Sequence, residues 1–177
     1  MESSVIHSLR RLESNNQRTA YFPTWIIMRK QEREIRDRQV IDDIIRRCQV
    51  CHLAMCDDGQ PYVLPLNFGY DGSFLFFHGA LAGKKIDIIR KNNRVGFEFD
   101  ILHEIVAANR VCDWGAQYES VIGSGTIEIV EEPEAKKDAL KWIMRQYGSD
   151  ANDFSEEILK KTLVLRVQIL EISGKSK

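Results

Sequence analysis

Phe74-Leu-Phe-Phe-His-Gly-Ala-Leu-Ala-Gly-Lys-Lys-Ile-Asp-Ile-Ile-Arg90 changes its period halfway along. Its first residues alternate as in a strand. Phe74, Phe76 and His78 fall on one face, and Leu75 and Phe77 on the other. Ala80, Ala82 and Gly83 then keep the turn small, so that another group can approach the backbone. From Lys84 onward the pattern is helical. Two lysines in a first turn oppose the helix dipole, whose amino-terminal end already carries partial positive charge. A bound anion would remove the conflict, because free N–H groups, dipole and ammonium would converge on it. The alternative is that both lysines extend into water, at a cost of about 0.3–1 kcal/mol.

Strand signals surround this run. Residues 50–56 end in Asp57-Asp58-Gly59, and residues 61–68 run toward Asp71-Gly72, so each carries a hairpin signal. Upstream, Asp37 is a candidate N-cap for a helix over residues 38–47, with Val40, Ile41, Ile44 and Ile45 as its stripe. Downstream, Asn92-Asn93 stops the lysine helix, and Val95, Phe97 and Phe99 alternate through a strand over residues 94–100. A connection over residues 101–116 leads to a long strand, 117–130. Gly123 and Gly125 share a face of that strand, which marks a bend or a close approach by another chain or a ligand. Pro133 opens a helix carrying Ala139, Trp142, Ile143 and Tyr147, and Gly148 closes it. A short helix near residues 155–161 precedes a last strand, 163–172. Six short strands, hairpin turns and peripheral helices predict a mainly β (α+β) fold, an antiparallel barrel rather than a parallel sheet.

The 177 residues match one domain, at about one domain per 150 residues. Residues 1–27 are polar and irregular, and read as an extension in which Tyr21, Phe22 and Trp25 are candidate docking residues. The domain then covers residues 28–177. A net charge of -1 and a pI near 6.4 argue against nucleic acid as a partner. No run approaches the roughly 20 apolar residues of a membrane span, and no secretory h-region opens the chain. The expectation is a cytoplasmic protein with reduced thiols at Cys48, Cys51, Cys56 and Cys112.

Several chemical motifs are absent or incomplete. Cys48-x-x-Cys51 has no second pair, and Cys51 and Cys56 point to opposite strand faces, so no metal is expected. No glycine fingerprint enters a helix, and Gly123-Ser-Gly125 is too short for a nucleophile elbow. Asp57-Asp58 and Glu131-Glu132 read as solvated turn carboxylates. His7, His52 and His103 lack a partner pattern. Pro65 removes a ladder donor, so its strand lies at an edge or beside something other than a strand. In the second case the backbone of Pro65-Leu66-Asn67 is available to a planar heterocycle.

Four segments carry a family resemblance over residues 28–175: Val63-Leu-Pro-Leu-Asn-Phe-Gly-Tyr70, Phe77-His-Gly-Ala-Leu-Ala-Gly-Lys84 with the helix behind it, Gln117-Tyr-Glu-Ser-Val-Ile-Gly-Ser-Gly125, and Ser173-Gly-Lys175. Together they resemble the FMN-binding split-barrel proteins related to pyridoxamine 5'-phosphate oxidase, and within them the nitroimidazole-resistance proteins. The resemblance implies a six-stranded Greek-key split β-barrel and a homodimer with FMN, or FAD, at the subunit interface. It places the flavin phosphate at Gly83 and Lys84, with Lys85 in support, and the flavin ring along Pro65, Leu66 and Asn67. Ser120 and Lys175 face the cofactor, and Trp114 and Tyr118 reach it from the neighbouring subunit. His78 lies close to the flavin as the candidate catalytic residue. The implied activity is reduction of nitroaromatic compounds with a reduced nicotinamide as donor. Pyridoxamine-phosphate oxidases themselves end in an arginine-rich segment that residues 168–177 lack, so vitamin B6 oxidation is not implied. Haem-handling and deazaflavin-using relatives share the barrel, and a flavin- or haem-binding protein for storage or sensing is the alternative.

Overall fold

The computed structural model describes residues 29–177. The proposed extension, with Tyr21, Phe22, Trp25 and His7, lies outside the described residues. Cys51–Asp57 (β2) and Gln60–Leu66 (β3) form the first hairpin, turning through Asp58 and Gly59 at φ 49° and 86°. That positive φ pair is what an Asp-Gly turn supplies. On its other side β2 pairs with Arg94–Val106 (β6), which pairs with Gly115–Val130 (β7), which pairs with Leu163–Ser176 (β8). The far edge of β8 carries Phe74–Gly79 (β5) near its start and Glu34–Ile35 (β1) near its end. Gly69–Tyr70 (β4) closes the order β3-β2-β6-β7-β8-β5-β4, and every ladder is antiparallel. The architecture is the expected split barrel, with eight strands rather than six. The two extra strands, β1 and β4, are two residues long each, too short to leave a period in the sequence.

Arg38–Arg47 (α1) starts where Asp37 accepts a hydrogen bond from the Gln39 amide. It buries Ile41, Ile44 and Ile45, whereas Val40 lies at the margin of the stripe and is exposed. Lys84–Lys91 (α2) buries Ile86, Ile88 and Ile89 in the same core, which is filled by the inner faces of β2, β5, β6, β7 and β8. The two faces of β5 serve two cores. Leu75 and Phe77 enter the main one, while Phe74 and Phe76 meet Pro133–Gln146 (α3) and Glu156–Lys161 (α4). α3 sits so close to β4 that a Cβ at Gly69 would lie 2.4 Å from the Ile143 amide nitrogen. Within α3, Ala139, Leu140 and Ile143 are buried, and Tyr147 is its exposed C-cap.

Two expectations change. Residues 101–106 and 115–116 continue β6 and β7 as a projecting hairpin instead of forming a loose connection. Both faces of that arm are mostly open, so no alternation betrays it in the sequence. The glycine pair of β7, expected at a bend or a close approach, meets groups of this chain's own interior. A Cβ at Gly123 would lie 2.2 Å from the Phe97 ring, and one at Gly125 would lie 2.3 Å from the Gln168 carbonyl. The ladder shifts register there, leaving Leu170 as an extra, exposed residue of β8.

Candidate functional site

The start of α2 is built as an anion cradle. Gly83, the N-cap, has φ 132°, a conformation that favours glycine, and offers no side-chain cap. Among the described residues the amides of Lys84 and Lys85 have no backbone acceptor, since the first bonds of the helix run from Ile86 and Asp87 to Gly83. Lys85 is half-buried and packs under the turn: a Cβ at Gly79 would sit 3.2 Å from its Nζ. Burial holds its pKa below the usual lysine value, and among the described residues no carboxylate compensates. Lys84 is exposed, with its ammonium 4.7 Å from the centre of the Tyr62 ring. That contact sets the cradle against β3, the strand of Pro65 and Leu66. Lys85 is thus the more enclosed of the two lysines.

A second group of predicted residues shares the outer face of the sheet. Cross-strand pairing aligns Pro65 with His52 and His52 with Glu98, and in the next row Asp100 with Ser120 and Ser120 with Lys175. Tyr118 follows on the same face of β7, with the Lys175 ammonium 5.9 Å from its ring centre. Pro65 is exposed on an edge strand, as its missing donor requires. Leu66 turns its side chain toward the core, leaving its backbone for any ligand. Asn67 donates from Nδ2 to the Tyr147 hydroxyl, 3.0 Å away.

His78 and Trp114 stand apart. Alternation puts His78 on the Phe74–Phe76 face of β5, opposite the Gly79 face where Lys85 lies. Its ring is exposed and has no hydrogen-bond partner among the described residues. Trp114 is exposed on the projecting hairpin, with its indole N–H donating to Ala108 O at 2.9 Å. Leu102, Ile105 and Val111 are exposed on the same arm. Clefts of about 220 Å³ and about 510 Å³ border Phe74 and Gln168. No predicted site residue lines either of them.

Sequence reasoning missed the partners of two histidines. His52 Nδ1 lies 3.0 Å from Glu98, and His103 Nε2 lies 3.0 Å from Glu119, which also accepts from Arg47. Both are cross-strand relations, visible only once register is known. His52, Glu98 and Asp100 place their polar atoms within 4.8 Å of one another. Burial, then the charge of Asp100, raises the Glu98 carboxyl above its usual range, and the His52 contact offsets this in part. The thiols divide: Cys48 and Cys51 are buried, Cys56 is half-buried and Cys112 is exposed. Burial pushes the Cys48 thiol up to about 11, which makes it a poor nucleophile.

The family model for pyridoxamine 5'-phosphate oxidase matches residues 37–176. A solved structure from Bacteroides thetaiotaomicron, described as a candidate 5-nitroimidazole antibiotic resistance protein, is 34% identical, with 80% of this chain and 85% of that chain covered and a TM-score of 0.73. The FAD- and haem-binding protein of Mycobacterium smegmatis shares the fold at 20% identity, with 82% and 73% covered and a TM-score of 0.72. Among curated proteins, an uncharacterised protein of Rhizobium meliloti is 28% identical over 91 residues, which is 51% of this chain and 53% of that protein. The match therefore spans about half the length of that relative. Among the described residues, no helix is long and apolar enough to cross a membrane. The family match over residues 37–176, the antiparallel sheet order and the 34% identity together establish that this chain belongs to the pyridoxamine 5'-phosphate oxidase family of split-barrel proteins.

Proposed function

We propose that this chain is an oxidoreductase that binds FMN and reduces nitroaromatic compounds of the 5-nitroimidazole class. One observation carries the cofactor assignment: the half-buried Lys85 ammonium, without a counter-ion among the described residues, beside an uncapped helix start. Withdrawing an ammonium from water is costly unless an anion lies beside it. A terminal phosphate fits that position. It would accept from the free amides of Lys84 and Lys85 and from both ammonium groups. The backbone of Pro65, Leu66 and Asn67 would lie along the ring, with Ser120 and Lys175 facing it from the outer sheet surface.

The substrate class draws its support from the relative in Bacteroides thetaiotaomicron and its description as a candidate 5-nitroimidazole resistance protein. When bound, FMN supplies two-electron transfer between a reduced nicotinamide and an acceptor. The nicotinamide loses two electrons and releases one proton, and the nitro group gains two electrons and two protons, giving a nitroso group and water. The second proton needs a donor. The exposed His78 imidazole, which has no hydrogen-bond partner among the described residues, would deliver it to a nitro oxygen. The chain acts as a homodimer in the cytoplasm. The exposed apolar residues of the β6–β7 arm form the interface, with Trp114 and Tyr118 of one copy closing the cleft of the other.

The test is extraction and identification of the cofactor from freshly purified protein, followed by nitroimidazole-dependent oxidation of reduced nicotinamide. FMN together with turnover supports the proposal. FMN without turnover, or haem in its place, turns the reading to storage or sensing. Colourless protein that takes up no FMN overturns it.

A further inference from the structure

We propose that Tyr147 is a positioning residue that presents the Asn67 side-chain oxygen as a free hydrogen-bond acceptor, and that this acceptor selects a heterocycle carrying a ring N–H. The inference rests on the flavin reading above. A hydroxyl has one hydrogen to donate and two lone pairs to accept with. The Tyr147 hydroxyl lies 2.7 Å from the Gln49 carbonyl oxygen, 3.1 Å from the Phe68 amide nitrogen and 3.0 Å from the Asn67 side-chain nitrogen. A carbonyl can only accept, so the hydroxyl hydrogen goes to Gln49. A backbone N–H can only donate, so Phe68 fills one lone pair. The remaining lone pair can be met only by a donor, and the Asn67 group facing Tyr147 must therefore be its NH₂. The opposite amide orientation would set two acceptors against each other. Oδ1 is thereby directed away from the hydroxyl, and among the described residues it takes no hydrogen bond.

The hydroxyl is itself held in place. Tyr147 is the C-cap of α3, and its neighbour Gln146 donates to the carbonyls of Cys48 and Arg46, 2.9 and 3.0 Å away. The end of α3 thus ties residues 46–49 to residues 67–68 and fixes the amide beside the last residue of β3. An oriented acceptor distinguishes ligands by their donors. Oxidised isoalloxazine has a single ring N–H, at N3, and its other polar ring atoms accept. Asn67 Oδ1 takes that N3–H.

The test compares binding of FMN and N3-methyl-FMN, by quenching of flavin fluorescence, to the full chain and two variants. The wild type is expected to prefer FMN about three- to tenfold, the range of one net hydrogen bond. Tyr147→Phe frees the amide to rotate and brings the two ligands to parity, chiefly by weakening FMN. Asn67→Ala does the same while leaving the hydroxyl its bonds to Gln49 and Phe68, so it remains informative if Tyr147→Phe does not fold. A wild type that binds FMN with no preference overturns the inference and leaves the cofactor assignment standing. So does either folded variant that keeps the wild-type preference. A wild type that binds neither flavin removes the cofactor assignment and this inference with it.

Discussion

Lys85→Met is expected to stabilise the ligand-free protein while removing most of its affinity for FMN. The ammonium is half-buried under the Gly79 turn with no compensating carboxylate among the described residues, and burial lowers its pKa from 10.5. Between that lowered value and the usual one, the unfolded chain holds more protons than the folded chain. Stability of the ligand-free protein therefore rises with pH as it approaches 10.5. Methionine fills similar space without a charge, so the variant lacks this rise and is more stable at neutral pH. Binding moves the other way. A charge-assisted hydrogen bond contributes about 1.5–3 kcal/mol, so the affinity for FMN should fall about tenfold to a hundredfold. Riboflavin, which has the same ring and no phosphate, should lose little. Urea unfolding between pH 7 and 10 (about) reads the first effect through protonation linkage, and fluorescence titration with both flavins reads the second. Equal losses for FMN and riboflavin would refute the phosphate assignment. Lower ligand-free stability in the variant would refute the claim that the ammonium is held at a cost.

Gly69→Ala should destabilise the fold by about 1–3 kcal/mol or more, because its Cβ would meet the α3 backbone at 2.4 Å and the helix must move. Thermal unfolding measures it, and an unchanged midpoint would contradict the close contact. Trp114→Ala should weaken both dimerisation and flavin retention, as expected of an exposed aromatic anchor. Light scattering that finds a flavin-loaded monomer in the wild type would remove the interface assignment. His78→Ala should keep FMN bound and slow nitro reduction about 10²–10⁴-fold, the usual contribution of a general acid. Stopped-flow rates equal to wild type would leave His78 without a catalytic role.

Much of this was legible in the chain because short-range physics decides it. Asp37, Pro133 and Gly148 mark helix ends through capping and backbone conformation, and each stands where the helices begin or end. The alternation of Phe74 to Phe77 reports two buried faces, and the structure supplies a core for each. Lys84 and Lys85 stood out because they oppose a dipole. Their relative enclosure depends on the Gly79 turn and on Tyr62, which packing alone reveals. Gly123 and Gly125 mark a bend or a close approach, which the sequence alone assigns to another chain or a ligand. The approaching groups, the Phe97 ring and the Gln168 carbonyl, come from other strands. The pairing of His52 with Glu98 and the Tyr147 bonds to Gln49 and Asn67 span 46, 98 and 80 residues. No local pattern encodes contacts of that range.

Among the described residues, no strand pairs with the outer edge of β3. Pro61, Val63 and Pro65 alternate onto one side of the strand, paired across to Cys56, Ala54 and His52. Their backbone groups share one direction as well, and proline is tolerated where that direction is outward. Of the three positions only Val63 retains an N–H, while all three keep a carbonyl. An incoming strand needs donors and acceptors in alternation, and at two of three positions it finds nothing to accept from. The border therefore resists templating by a stray β segment, the hazard that open sheet margins carry. It remains a ladder of acceptors, suited to small molecules that bring their own donors.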